Sequence, residues 1–163
     1  ASLFENLLNK AKEALSTQSD PLILAGSHLL GAIFNLITTD QEIISSVVTD
    51  MLDSFYNLLR VNPSIAGSVL EDLCSIFIYH DNIFETIQPI FEQYYSIISD
   101  DEIPIESRCI CTQLLYTLIK KYPIEAKSVS SQIIATTLEL ASMIANDDCF
   151  DDQLDILYAV RPI

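Results

Sequence analysis

Three prolines recur at nearly constant intervals: Pro21, Pro63 and Pro104, spaced 42 and 41 residues apart. Each heads a stretch whose apolar residues follow helical spacing. Asp20-Pro21 and Asn62-Pro63 place a capping side chain before a proline at the first helical position, where the missing N–H costs no hydrogen bond. Pro104 follows Asp100, Asp101 and Glu102, and acidic residues favour the positive end of the helix they precede. A period near 41 is that of paired helices. One such pair cannot cover its own apolar face, so a chain built this way must stack its helices side by side.

Displacing the sequence by 41 residues tests the period. Leu29, Leu70 and Cys111 fall in one column, as do Ala32, Leu73 and Leu114; Ile33, Cys74 and Leu115; Leu36, Phe77 and Leu118; and Ile37, Ile78 and Ile119. The second helices align with small offsets that loops absorb: Met51, Leu52, Phe55, Leu58 and Leu59 with Ile90, Phe91, Tyr94, Ile97 and Ile98, then with Ile133, Ile134, Thr137, Leu140 and Ala141. The period fits HEAT-type pairs and not tetratricopeptide repeats, whose period is about 34.

The expected fold is all-α, an α-α superhelix of the HEAT/armadillo solenoid type, in which first helices form a convex surface and second helices a concave one. Its units are a partial repeat over 1–18, repeats over 21–60, 63–99 and 104–145, and a trailing helix over 149–160. Ser2 and Glu5 form a capping box for the leading helix, whose Leu3, Leu7, Leu8, Ala11 and Leu15 make one apolar stripe. Pro89 is expected to kink or restart the second helix of the middle repeat. The expected core holds Leu29, Leu70, Leu73, Leu114, Leu115, Phe55, Phe91 and Ile133. The chain reads as a piece of a longer solenoid.

Composition narrows the function classes. Eight Lys+Arg against 23 Asp+Glu give a formal charge of -15, and the basic residues are scattered, so nucleic acid and anionic membranes are excluded as partners. Pro21 to Ile37 is apolar but shorter than the roughly 20 residues a membrane span needs, and it carries His28 and Asn35. Four cysteines at irregular spacing suggest a reducing compartment, and Cys109 and Cys111, two apart in a helical pattern, do not match zinc-ligand spacing. Of the two histidines, His28 belongs to the apolar first-helix stripe and His80 sits at a helix end, where it complements the dipole. Gly26, Gly31 and Gly67 lie within helices, so no phosphate loop is present. No catalytic, cofactor or metal site is expected, and the chain is not read as an enzyme.

What remains is a surface for protein. Asp50, Asp53 and Asn57 share one polar helix face; Gln88, Glu92 and Ser96 share the equivalent face of the next unit; and Ser131, Gln132 and Glu139 that of the third. Any amphipathic helix has such a wet face, but acidic faces lined up by stacking would also attract basic segments. Asp147, Asp148, Asp151, Asp152 and Asp155 form a second acidic cluster, either a solubilising linker or a grip for Lys/Arg-rich segments.

The stretch NPSIAGSVLEDLCSIFIYHDNIFETIQPIFEQYYSIISD, followed by PIESRCICTQLLYTLIKKYP and by LELASMIANDD with its Asp-rich continuation, resembles the central repeats of the importin-β (karyopherin-β) superfamily. Within that superfamily it is most similar to the branch that carries ribosomal proteins and histones. The acidic run here is broken by Cys149-Phe150 and Gln153-Leu154, and its aromatic residue is Phe where that branch has Trp. The resemblance implies a cytoplasmic and nuclear transport receptor that binds basic cargo on its concave face, exchanges it against the Ran GTPase and touches Phe-Gly nucleoporins. The alternative is a HEAT scaffold or assembly factor that holds protein subunits together without transport.

Overall fold

Asn62 both ends one helix and begins the next. Its backbone N–H donates to the Leu58 carbonyl, and its side-chain oxygen accepts from the Ile65 N–H at the head of a helix opened by Pro63. The computed structural model describes residues 3–36 and 40–145. Among them are seven α-helices: α1 (Leu3–Leu15), α2 (Asp20–Leu36), α3 (Gln41–Val61), α4 (Pro63–Tyr79), α5 (Gln88–Ile98), α6 (Ile105–Lys121) and α7 (Ser130–Ala145). A 3-10 turn, Glu125–Ser128, precedes α7, and no strand occurs among the described residues. The protein is all-α. It divides into two compact units, Ala1–Glu85 and Thr86–Ile163. The expected trailing helix at 149–160 and Ser2 of the capping box lie outside the described residues.

In the first unit α2 is packed from two sides. A Cβ on Gly26 would lie 2.8 Å from the Ala11 carbonyl oxygen, so only glycine lets α1 approach this closely. Further along α2, a Cβ on Gly31 would meet Asp72 of α4 at 3.2 Å. The α2–α4 seam is then tied along its length. Asn62 Nδ2 donates to Asp20 Oδ2 at 2.8 Å, Ser27 Oγ donates to Asp72 Oδ2 at 2.6 Å, and His28 Nδ1 lies 2.8 Å from that same oxygen. Asn35 Nδ2 donates to Ser75 Oγ at 2.6 Å, and His80 Nε2 donates to the Phe34 carbonyl at 2.7 Å. Starts pair with starts and ends with ends, so the two helices run parallel. The bonded residues lie 40 to 46 apart in the chain, which turns the sequence period into a lateral register.

The apolar core follows the aligned columns where a neighbour covers them. Leu70, Leu73, Leu114, Leu115, Phe55, Phe91 and Ile133 are buried as expected, whereas Leu29 is only half-buried. Ala32 and Ile78 are exposed. The stripe on α1 is divided likewise: Ala11 and Leu15 face α2 and α3, while Leu3 and Leu7 stay exposed.

Four local expectations are corrected. Asp20 is the first residue of α2 rather than its cap, and its carboxylate holds Asn62 instead. Pro104 is the N-cap residue of α6, with Ile105 as the first helical position; Asp101 is taken by Arg108 Nη1 at 2.9 Å. His80 caps the C-terminal carbonyl of α2 rather than serving its own helix alone, and His28, far from being part of an apolar stripe, is exposed. Pro89 does restart a helix, standing in the first turn of α5.

In the second unit, α6 packs against α5 and α7. Arg108 is buried there, and its Nε donates to the Ile98 carbonyl at 2.9 Å, placing a cation at the negative end of α5. Cys111 Sγ donates to the Tyr94 carbonyl at 3.4 Å.

Glycine substitution separates packing from propensity. Gly26→Ala should lower stability by about 1 to 3 kcal/mol, because the displaced α1 backbone outweighs the better helix former. Gly67→Ala, with no atom within 4 Å of its Cβ, should raise stability by roughly 0.5 to 1 kcal/mol. Urea titration of both variants decides the matter. Truncating Leu73, fully buried, to Ala should cost about 2 to 5 kcal/mol in the same measurement.

Candidate functional site

The C-terminal end of α1 packs on α3, and a groove of about 770 Å³ opens where the two meet the turn at 16–19 and the start of α2. Its floor is apolar, with Leu15, Ile23 and Leu58, and Val61 stands exposed at the rim. Asp50, Asp53 and Asn57 line one wall. They recur at positions three and four apart on α3, so all three point the same way. Lys12, Gln18 and Asp20 line the other side.

Lys12 determines the electrostatics. Its Nζ lies 2.8 Å from Asp50 Oδ2 and donates to Ser46 Oγ at 3.0 Å. Asp20 is held by Asn62, and Asp53 is exposed with no hydrogen-bond or ion-pair partner among the described residues. Three carboxylates against one ammonium leave the groove negative. Gly26 fixes this arrangement from behind, since its close neighbours Ala11, Ala14 and Leu15 belong to the turn of α1 that carries Lys12.

The remaining sequence-derived residues do not join this groove. Gln88, Glu92 and Ser96 follow one face of α5; Gln88 Nε2 donates to Glu92 Oε1 at 3.2 Å, and Ser96 turns its hydroxyl back to the Gln93 carbonyl. Ser131, Gln132 and Glu139 are exposed on α7. These two sets belong to the second compact unit and the groove to the first. Asp147, Asp148, Asp151, Asp152 and Asp155 lie outside the described residues. Sequence reasoning missed Lys12, Gln18 and Asp20 as groove residues. Asp20 carried a signal, its place before Pro21, but that signal reads as a cap; Lys12 looked like any exposed cation on α1.

The buried thiols are chemically quiet. Burial pushes Cys109 up to about 11, an effect the adjacent Arg108 only partly offsets, and burial likewise raises Cys111 well above an ordinary thiol. Thiolate is the reactive form, so neither is poised as a nucleophile near neutral pH. Among the described residues, no group of three or more His, Cys, Asp or Glu could hold a metal ion, and no helix is long and apolar enough to cross a membrane.

Comparison with family models, with curated proteins and with solved structures finds no match for this chain.

The thiol shifts carry a pH consequence. A thiol whose folded value is raised binds its proton more tightly when folded, so its contribution to stability is complete below the unfolded value near 9 and is lost as pH rises through about 11. Stability should therefore fall more steeply between pH 9 and 11 in the parent than in Cys109→Ala, as read from urea midpoints across that window. Equal slopes would show that Cys109 ionises as freely in the fold as in the unfolded chain.

Proposed function

We propose that this chain is a protein-binding helical-repeat segment whose acidic groove between α1 and α3 receives basic segments of partner proteins, and that it serves a nuclear transport receptor in that capacity. The observation that carries the reading is the seating of the Lys12 ammonium against Asp50, beside the unpaired Asp53. The groove already accommodates one lysine side chain of the chain itself. A partner lysine or arginine would meet the same chemistry at Asp53, with its aliphatic stem over Leu58 and Val61.

The likeness of residues 62–155 to central importin-β repeats gives the receptor role its content. In that role Glu92, Glu139 and the aspartates at 147–155 are further carboxylates for basic cargo, separate from the groove, and cargo release to Ran and contact with Phe-Gly nucleoporins belong to the full receptor in cytoplasm and nucleus. Binding that persists in the presence of GTP-loaded Ran would favour an assembly scaffold in place of the receptor.

Attraction of this kind is long-range and screened, with a Debye length of about 8 Å at physiological salt, and each exposed pair contributes only about 0.2 to 1 kcal/mol. Titration calorimetry with a Lys-rich peptide should show affinity falling as salt rises. Asp53→Ser should weaken binding by about 1.4- to 5-fold. Lys12→Met should tighten it by a similar factor, because Asp50 is released to the ligand, whereas Lys10→Met should change nothing: Lys10 pairs with Glu13 on the open side of α1. Identical affinities for the parent, Asp53→Ser and Lys12→Met would remove the groove as the binding site.

A further inference from the structure

Charge belongs to the walls of the groove between α1 and α3, and not to its floor. Three helices supply the floor: Leu15 at the end of α1, Ile23 in the first turn of α2 and Leu58 in the last turn of α3. All three are buried, so the floor continues into the core, whereas Val61 is 81% exposed at the rim. A volume of about 770 Å³ is in the range that takes drug-sized ligands, larger than one lysine or arginine side chain fills. A basic side chain alone therefore leaves water lying over apolar surface, and an apolar side chain laid there would displace it.

The free carboxylate and the floor are within reach of one short segment. On α3, Asp53 precedes Leu58 by five residues and Val61 by eight. At 1.5 Å per residue these separations are about 7.5 and 12 Å along the axis. An extended chain presents every second side chain to the same side, about 6.6 Å apart. A basic residue at Asp53 thus brings the residue two positions on over Leu58, and the residue four positions on beside Val61.

We propose that the groove selects, among basic segments, those in which an apolar residue stands two positions from the lysine or arginine on one side of an extended chain. This rests on the basic-segment reading above and adds the partner's second requirement. Charge complementarity fixes the occupant. A purely apolar segment would desolvate Asp53, which has no partner among the described residues. A second copy of the chain brings a charge of -15 to an acidic groove.

Titration calorimetry on the full chain compares two peptides of equal charge: a Lys-rich peptide with leucine two positions from a lysine, and the same peptide with glutamine in place of that leucine. The leucine peptide should bind about 4- to 12-fold more tightly, the effect of covering roughly half of a leucine side chain. Raising salt should weaken both peptides and leave their ratio standing, because apolar burial is not screened. Val61→Ser, at a site exposed enough to spare the fold, should lower the ratio by about 2-fold or more, and Asp53→Ser should weaken both peptides together. Equal affinities of the two peptides, with Asp53→Ser still weakening both, would overturn the selection and leave basic-segment binding in place. An unchanged ratio in Val61→Ser would put the leucine elsewhere and overturn it too. Indifference of both peptides to Asp53→Ser would remove the groove as the binding site and this inference with it. A parent dimer that Val61→Ser dissolves in sedimentation equilibrium would assign the floor to a second copy, again overturning the proposal.

Discussion

Asp72 and Gly26 together fix α2, and the first unit is built around that helix. From one side the α1 backbone reaches within 2.8 Å of where a Gly26 Cβ would stand; from the other, a single Asp72 oxygen gathers the Ser27 hydroxyl and the His28 ring. Ser27 is fully buried, and a buried hydroxyl without a partner would cost about 1 to 3 kcal/mol, so Asp72 specifies which turn of α2 may sit opposite α4. A slip of one residue would part Asn62 from Asp20, and His80 from the Phe34 carbonyl, at the two ends of the same seam. Hydrophobic burial drives the helices together; the polar ladder selects the register.

That register reaches the groove. The turn of α1 seated on Gly26 is the turn that carries Lys12, and Lys12 is what divides the groove between an occupied carboxylate, Asp50, and an open one, Asp53. The position of an ammonium on α1 is thus a consequence of a glycine on α2. In the proposed function, affinity for a basic segment depends on this internal competitor as much as on the number of carboxylates.

Much of the fold was legible because helical periodicity and the 41-residue shift report on the same burial. Leu70, Leu73, Leu114 and Leu115 recur in the columns, and recurrence at fixed spacing is what a stacked core demands. Leu29 is only half-buried and Ala32 and Ile78 are exposed, because recurrence at helical spacing marks a side of a helix and not how completely that side is covered. The contribution of His80 to α2, 46 residues away, was not legible: a helix-end histidine has the same local signature whichever helix it caps. Buried Arg108 was equally silent, since its partners, the Ile98 carbonyl and Asp101, are supplied by a turn of the chain and not by composition. Of the site, Asp50, Asp53 and Asn57 were readable as one face of α3. Lys12 was not, because its pairing with Asp50 spans two helices whose crossing no local pattern encodes.

The central claim is that a basic segment binds in the groove between α1 and α3. Titrating a Lys-rich peptide into isotopically labelled chain and following amide chemical shifts tests it directly. The account predicts that at low salt the saturable shifts concentrate in residues 12–20 and 50–61 and fade as salt rises. Shifts spread evenly over the acidic surface, or none in those two stretches while others saturate, would contradict it.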